Sequence, residues 1–105
     1  MAQGDLTKEI EYDKIEVVST WNIQVRKATK VMEEQADGSK KELTRSFHRH
    51  VLVPFSSQKD SDDKWTHTAT DLSSEDASVK AIAEAAWTDN VKTAYKTFAE
   101  SQTTP

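Results

Sequence analysis

The stretch QADGSKK, residues 35–41, stands between two runs of strand-forming residues and decides how the first half of the chain folds. Asp37 and Gly38 together signal a β-hairpin, because glycine adopts the positive φ angle that a tight primed turn requires. A two-residue turn here predicts an antiparallel pair in which Arg26 lies opposite Arg49. Two like charges in these positions destabilise the pair. We therefore expect a displaced register, arginines that point outward, or an anion between them, either a phosphate or a carboxylate from the acidic segment 59–76 or a partner.

The runs on both sides of this turn have the composition of β-strands. Residues 12–33 are rich in Val, Ile, Thr, Tyr and Trp, and their apolar positions alternate up to Val25. The alternation then changes parity, which a β-bulge near Arg26–Ala28 would absorb. This run is either one long bent strand or two strands broken near Ser19–Asn22. The run after the turn continues to Pro54, where the missing amide hydrogen ends the strand or confines it to a sheet edge.

The second half of the chain changes to a helical period. Segment 56–72 is polar, and we expect a long surface loop there, or a docking arm anchored by Trp65. Ser73, three residues before Asp76, predicts a capping box at the start of a first helix. Thr88 or Asp89 predicts the N-cap of a second amphipathic helix.

These segments predict an α+β fold, an antiparallel β-meander of about three strands followed by two amphipathic helices packed on one face. With 105 residues and 35% hydrophobic content, the chain fits a single domain, residues 1–105. We expect a folded core over residues 9–99 and flexible termini.

Cysteine is absent from the chain, which excludes disulfides, thiolate catalysis and cysteine-ligated zinc. The sequence contains no run of roughly 20 apolar residues such as a membrane helix needs. The N-terminal segment is polar and lacks the apolar region of a signal peptide. The sequence therefore predicts a cytoplasmic protein without a membrane partner.

Charge is distributed unevenly along the chain, whose formal net charge is −4. An acidic protein is unsuited to coating DNA with its whole surface. Residues 26–50, however, carry seven basic and four acidic side chains, whereas residues 59–76 carry two basic and six acidic ones. The two segments could attract each other within the fold or between copies of the chain.

Both faces of the predicted hairpin carry apolar side chains, and the helices can cover only one of them. The other face needs the loop, the N-terminal segment or a neighbouring molecule. The sequence therefore predicts a structural or protein-interaction module that binds a protein partner or forms a homo-oligomer. The alternative is a small nucleic-acid-binding regulator, in which Phe47 would stack on bases. The candidate partner-binding residues are side chains of the basic ribbon and the loop: Arg26, Arg45, His48, Arg49, His50, Leu52 and Trp65.

His48 and His50 raise the question of a metal site. Residues i and i+2 of a strand point the same way, so both imidazoles could bind one ion, although a further ligand is needed. A pH-sensitive contact is an alternative, and polar residues on an exposed strand are the main interpretation. An EF-hand loop that starts at Asp60 would need glycine at its sixth position and glutamate at its twelfth, where this chain has Trp65 and Asp71. With no catalytic or phosphate-binding motif in view, we expect no enzyme, no catalytic residue and no cofactor.

The segments EYDKIEVV, IQVRKATKV, SFHRHVLVP and AAWTDNVKTAYKTF resemble a group of small uncharacterised proteins of tailed bacteriophages, including marine ones. The resemblance covers most of residues 9–99. It implies a virion or assembly component, or a factor that acts on the host, located in the host cytoplasm or the virion. It implies no activity and no catalytic residue.

Overall fold

The computed structural model describes residues 4–102. In chain order, the elements of this part are β1 (Leu6–Val18), β2 (Asn22–Glu34), β3 (Lys40–Leu52), β4 (Phe55–Lys59), β5 (Trp65–Ala69), α1 (Ala77–Ala86) and α2 (Asp89–Ser101). β1, β2 and β3 form one antiparallel sheet in that order, and β4 pairs with β5 in a separate sheet. The predicted α+β class with a three-stranded meander before two helices is confirmed.

The described residues divide into two compact units. The first, here called the ribbon unit, contains residues 4–15 and 25–50, and the second, the helical unit, contains residues 16–24 and 51–102. Each is described by itself below. The predicted single domain over residues 1–105 stays a prediction, and the flexible termini that we expected fall partly on residues 1–3 and 103–105, which lie outside the described residues.

A hairpin turn separates β1 from β2, which resolves the choice between one bent strand and two strands. Ser19 and Thr20 have φ angles of 54° and 69°. Positive φ at both central residues is the pattern of a two-residue primed turn, which matches the twist of the flanking strands. Such turns usually contain Asn or Gly. This turn contains neither, so its position is not evident from the sequence.

The turn between β2 and β3 is one residue longer than the sequence predicts. The Gln35 amide donates to the Ser39 carbonyl at 2.7 Å, and the Gly38 amide donates to the Gln35 carbonyl at 3.0 Å. Gly38 has a φ of 87° and is the third loop residue, as in a turn followed by a glycine bulge. The predicted two-residue turn is therefore wrong, and the register next to the loop shifts by one.

Asp37 stabilises this longer loop through its side chain. Its Oδ1 accepts hydrogen bonds from the Ser39 amide at 2.9 Å and from the Ser39 hydroxyl at 2.5 Å. These hydrogen bonds hold the pKa of Asp37 below its usual value. Asp37 and Gly38 thus mark the turn correctly, while Ser39 decides its length.

Burial in the ribbon unit follows the parity change of β2. Val25 and Ala28 are buried, at 2% and 0% exposure, although they have opposite parity. A strand with a plain two-residue period places them on opposite faces, so their burial does not require the predicted bulge near Arg26–Ala28, which stays a prediction. On β3, by contrast, every residue from Lys40 to Arg49 is exposed.

The polar segment 56–72 is not a loop, which corrects the prediction. Residues 55–59 and 65–69 pair as β4 and β5, with Ser57 opposite His67. The Asp60 side chain accepts hydrogen bonds from the amides of Asp62 and Lys64, and this closes the turn between the strands. Low hydrophobicity hid the hairpin, because most of its side chains are exposed.

The two helices begin at polar caps. Asp76 is the N-cap of α1, and its carboxylate accepts from the Ser78 amide at 3.0 Å, so the predicted cap at Ser73 is wrong. The Ser73 amide instead donates to the Asp71 side chain, which keeps this residue in a turn. Thr88, one of the two predicted candidates, is the N-cap of α2 and accepts from the Val91 amide.

The core of the helical unit is small and largely apolar. Its buried residues come from β2, β4, α1 and the residue after α1: Ile23, Phe55, Val79, Ala83 and Trp87. The Trp87 indole Nε1 donates to the Trp21 carbonyl at 2.8 Å, which satisfies the one polar atom of this ring. α2 packs against β4.

Candidate interaction surface

Two of the predicted arginines converge on a carboxylate of β1. Arg26 on β2 donates to both oxygens of Asp13, from Nε at 2.9 Å and from Nη2 at 2.8 Å. Arg45 on β3 brings its Nη1 to 3.7 Å from the same carboxylate and binds Glu42 at 2.8 Å. A carboxylate thus lies between Arg26 and Arg45, and not between the predicted pair Arg26 and Arg49, and it belongs to β1 and not to the acidic segment or a partner.

The electrostatics of this cluster follow from these contacts. Hydrogen bonds from Arg26 hold the pKa of Asp13 below its usual value, and the charges of Arg26 and Arg45 act in the same direction against partial burial. Hydrogen bonding to Asp13 raises the pKa of Arg26, and hydrogen bonding to Glu42 raises that of Arg45. Both arginines are thus held charged and already bound to anions.

Phe47 shares the cationic environment of the ribbon unit. The Arg26 guanidinium carbon lies 4.5 Å from the centre of the Phe47 ring, and that of Arg49 lies 5.8 Å from it. Both distances fall in the range of cation–π attraction. Two of the predicted arginines, one on β2 and one on β3, therefore lie over the same exposed ring.

Further ion pairs reach from β1 towards the other strands. Lys30 on β2 lies 3.4 Å from Glu11, and Lys40 on β3 lies 3.5 Å from Glu9. In these ion pairs and in the one at Asp13, the carboxylate belongs to β1 and the cation belongs to β2 or β3. Much of the positive charge that the sequence assigns to the ribbon is therefore balanced within the sheet.

His48 and His50 are neighbours, as two residues on one side of a strand should be. Their ring centres are 6.3 Å apart and tilted by 35°. Over residues 4–102, no group of three or more His, Asp or Glu side chains is placed to hold a metal ion. The histidines thus form a pair, and the third ligand that a metal site needs is not supplied by this part of the chain.

Apolar side chains also emerge along β3. Leu43, Phe47 and Val51 are 47%, 45% and 57% exposed, and each is four residues from the next. An even spacing keeps residues of one regular strand on one face. Because β3 is an edge strand of its sheet, it offers both unpaired backbone groups and apolar side chains.

The other two predicted residues lie in the helical unit. Leu52 is half-buried at the end of β3. Trp65 begins β5, and its ring stacks on His67 with the ring centres 6.0 Å apart and an angle of 5° between their planes. Trp65 is thus part of a sheet and not the anchor of a mobile arm, so the predicted partner-binding set is divided between the two units.

A constellation around His67 escaped the sequence analysis. The Ser57 hydroxyl lies 2.7 Å from His67 Nδ1, and the Glu100 carboxylate lies 2.7 Å from Nε2. Since a carboxylate accepts, Nε2 donates to Glu100, while the direction of the hydrogen bond between the Ser57 hydroxyl and Nδ1 depends on whether that nitrogen carries a hydrogen. Ser57 is 10 positions before His67, and Glu100 is 33 positions after it. No sequence motif connects the three residues.

Hydroxyl, imidazole and carboxylate in this order resemble the catalytic triad of serine hydrolases, but with the two ring nitrogens exchanged, since in that triad the serine faces Nε2 and the carboxylate faces Nδ1. A substrate carbonyl would have to reach the Ser57 hydroxyl, which lies in the β4–β5 pair directly opposite His67. The His67 side chain is only 10% exposed, and it is stacked on Trp65 with the edge of Phe55 nearby. We interpret the cluster as a junction that ties α2 to the β4–β5 hairpin.

A cleft of about 330 Å³ also lies in the helical unit. Phe55, Leu72 and Trp87 contribute apolar walls, while Glu84 and Lys92 add one charge of each sign. Its volume is at the lower end of small-molecule sites. The cleft suits a small group with an apolar body.

Neither helix found in residues 4–102 has the length and apolar character needed to cross a bilayer. Comparisons of the chain with known proteins find no matching family model, no matching curated protein and no matching solved structure.

Proposed function

We propose that this chain is a non-enzymatic protein-interaction module that binds through the exposed strand β3. The observation that carries the proposal is an edge strand on which every residue from Lys40 to Arg49 is exposed, including the apolar residues Leu43 and Phe47. Edge strands of this length attract other strands unless they are blocked, and extended segments commonly bind proteins by adding a strand to such an edge.

The setting of this function is part of the proposal. The resemblance to small proteins of tailed phages suggests a virion or assembly component, or a host-interaction factor. A homo-oligomer is the simplest form of either, since a second copy is always present at the same concentration.

The test is whether association depends on β3. Light scattering after size-exclusion chromatography should show a mass that rises with concentration for the wild-type chain, and a lower mass for the double variant Leu43→Ser, Val51→Ser. Both side chains are exposed, so their replacement should leave folding intact, which circular dichroism checks. The matched control is the double variant Ala81→Ser, Ala85→Ser, at two exposed positions of α1 that belong to neither outer strand of the sheet.

A partner other than a second copy would need to be identified by mass spectrometry and reconstituted from two purified proteins. Its binding should then weaken in the same β3 double variant and not in Ala81→Ser, Ala85→Ser. A wild-type chain that stays monomeric at high concentration, together with no purified partner whose binding depends on β3, would refute the proposed function.

Nucleic-acid binding is the alternative, favoured by Arg49 and the exposed Phe47 ring lying together. It is the weaker candidate because Arg26 and Arg45 are already bound to carboxylates, which reduces the number of cations free for phosphates. Binding to a labelled oligonucleotide should fall steeply with salt if phosphate contacts exist. No binding at low salt would eliminate this alternative.

A further inference from the structure

The ribbon sheet has two outer edges, and both are open in the described part of the chain. β1 and β3 are the outer strands, and each is 13 residues long without a proline. Proteins that avoid edge pairing usually shorten such strands or interrupt them with proline or bulges. Here neither edge is shortened, so each could accept a further strand.

The two edges carry opposite charges. β1 contains four acidic and two basic residues, whereas β3 contains four basic residues and one acidic residue. The carboxylates of Glu9 and Glu11 are already paired within the sheet, but their side chains remain 41% and 50% exposed, so another cation can still approach them. Pairing of two β1 edges or of two β3 edges would bring like charges together, which is unfavourable. Pairing of β1 with β3 brings opposite charges together.

Strand direction determines how copies would pair. β1 and β3 both run antiparallel to β2, so they run parallel to each other. A second copy in the same orientation would therefore add its β1 alongside β3 as a parallel strand. This contact uses a different surface on each copy, so repetition gives a ring if the rotation closes and a filament if it does not.

The exposed apolar residues of the two edges have the same spacing. Leu6 and Ile10 on β1 are four residues apart, as are Leu43 and Phe47 on β3, and all four are between 45% and 61% exposed. Four residues of a strand span about 13 Å and return to the same face. On β1, however, Leu6 and Ile10 have the opposite parity to Asp13, whose partner Arg26 lies over Phe47, so they point to the other face from Phe47 and add no apolar contact with it.

We propose that copies of this chain associate head to tail, with β1 of one copy pairing in parallel with β3 of the next. This inference rests on the proposed function, in which β3 is the binding surface, and it names the partner as a second copy and the contacted surface as the β1 edge. The opposite charge of the two edges and their equal length carry it.

The absence of native cysteine permits a direct test. Two single variants, Ile10→Cys and Leu43→Cys, are made, and one carries a tag that changes its mass. Each variant alone and an equal mixture of both are treated with a short bismaleimide cross-linker. Head-to-tail pairing predicts a covalent heterodimer in the mixture and no homodimer from either variant alone. The two cysteines are kept in separate chains, because β1 and β3 of one chain are close enough to be linked across β2.

The possible outcomes separate this inference from the proposed function. Homodimers from Leu43→Cys alone would overturn head-to-tail pairing while supporting β3 as a binding surface. A monomer with no cross-link in any sample would also overturn the inference, and the β3-dependent binding of a different purified protein would then decide the proposed function. A heterodimer in the mixture alone supports both.

Charge reversal gives an independent readout. Arg49→Glu on β3 should weaken association about tenfold, because it replaces attraction to the acidic edge with repulsion. Lys80→Glu, at an exposed position of α1, makes the same change of charge at a residue that belongs to neither edge strand and should leave association unchanged. Equal weakening by both variants would mean that net charge, not edge pairing, controls association.

Discussion

Arg26 and Asp13 form a two-point ion pair across neighbouring strands, with Nε and Nη2 of the arginine donating to separate oxygens of the carboxylate. A guanidinium held in this way is fixed in orientation as well as charge. The same guanidinium lies over the Phe47 ring, so one residue of β2 links a carboxylate of β1 to an aromatic ring of β3. Sequence reasoning selected Arg26 for a partner contact, and its main contacts lie within the sheet.

The Asp13 carboxylate should make the ribbon sheet sensitive to acid. Its folded-state pKa lies below the usual value of 3.8, so its contribution to stability is present above that value and is lost as pH falls through the folded pKa. Asp13→Asn should therefore lower the free energy of unfolding at neutral pH. The difference from wild type should stay constant down to about pH 5 and shrink below it.

Urea denaturation at a series of pH values measures this difference. Asp62→Asn is the matched control, since it removes the same charge from an exposed position in the turn between β4 and β5. A difference for Asp13→Asn that is unchanged at acidic pH would show that the carboxylate acts through packing or neutral hydrogen bonds instead of charge.

The turn between β1 and β2 should be strained by its side chains. Thr20 has a φ of 69°, and a β-branched residue with positive φ is unfavourable because Cβ crowds the backbone. Thr20→Gly should raise the free energy of unfolding by about 1 kcal/mol, since glycine adopts this conformation without that crowding. Thermal or urea denaturation provides the measurement.

The matched control is Thr29→Gly, the same substitution inside β2. It should lower stability by roughly 0.5–1 kcal/mol, because glycine in a strand loses more backbone freedom on folding and packs less. If both substitutions destabilise the protein alike, the conformation of Thr20 is not a source of strain.

The two hairpins of the first sheet show what the sequence could and could not predict. Asp37 and Gly38 marked one turn because glycine is the residue that a positive φ favours. Ser19 and Thr20 gave no such signal, so the sequence could not distinguish two strands joined by a turn at this point from one long bent strand. In the turn between β2 and β3, Ser39 also donates two hydrogen bonds to the Asp37 side chain. The pattern of residue types does not predict these hydrogen bonds, and so it did not predict the length of the turn.

The helical unit shows a second limit of sequence analysis. Thr88 was recognisable as an N-cap from local sequence, because the capping hydrogen bond spans three residues. His67 and Glu100 are 33 positions apart, and only the packing of α2 on the β4–β5 hairpin brings them together. Asp13 was likewise missed as the partner of Arg26, because β1 had not been assigned a register.

Trp87 should be the most sensitive aromatic residue of the helical unit. Its ring is 6% exposed, and its indole donates to the Trp21 carbonyl. Trp87→Phe removes this donor and part of the buried ring, which should lower the free energy of unfolding by about 2 kcal/mol. Trp65→Phe, at a half-buried position of β5, should cost less. Equal losses in urea denaturation would contradict the different burial of the two rings.

Ser57 distinguishes a structural junction from a catalytic relay. If the cluster is structural, Ser57→Ala leaves His67 Nδ1 without its hydrogen-bond partner and lowers the free energy of unfolding by about 1 kcal/mol. Hydrolysis of an activated ester such as p-nitrophenyl acetate should proceed at the same rate with wild type and variant. Ser56→Ala, on the adjacent exposed position of β4, should change neither quantity. Ester hydrolysis by wild type that disappears in Ser57→Ala, with a fluorophosphonate probe attached at Ser57, would instead establish the serine as a nucleophile and refute the non-enzymatic part of the proposed function.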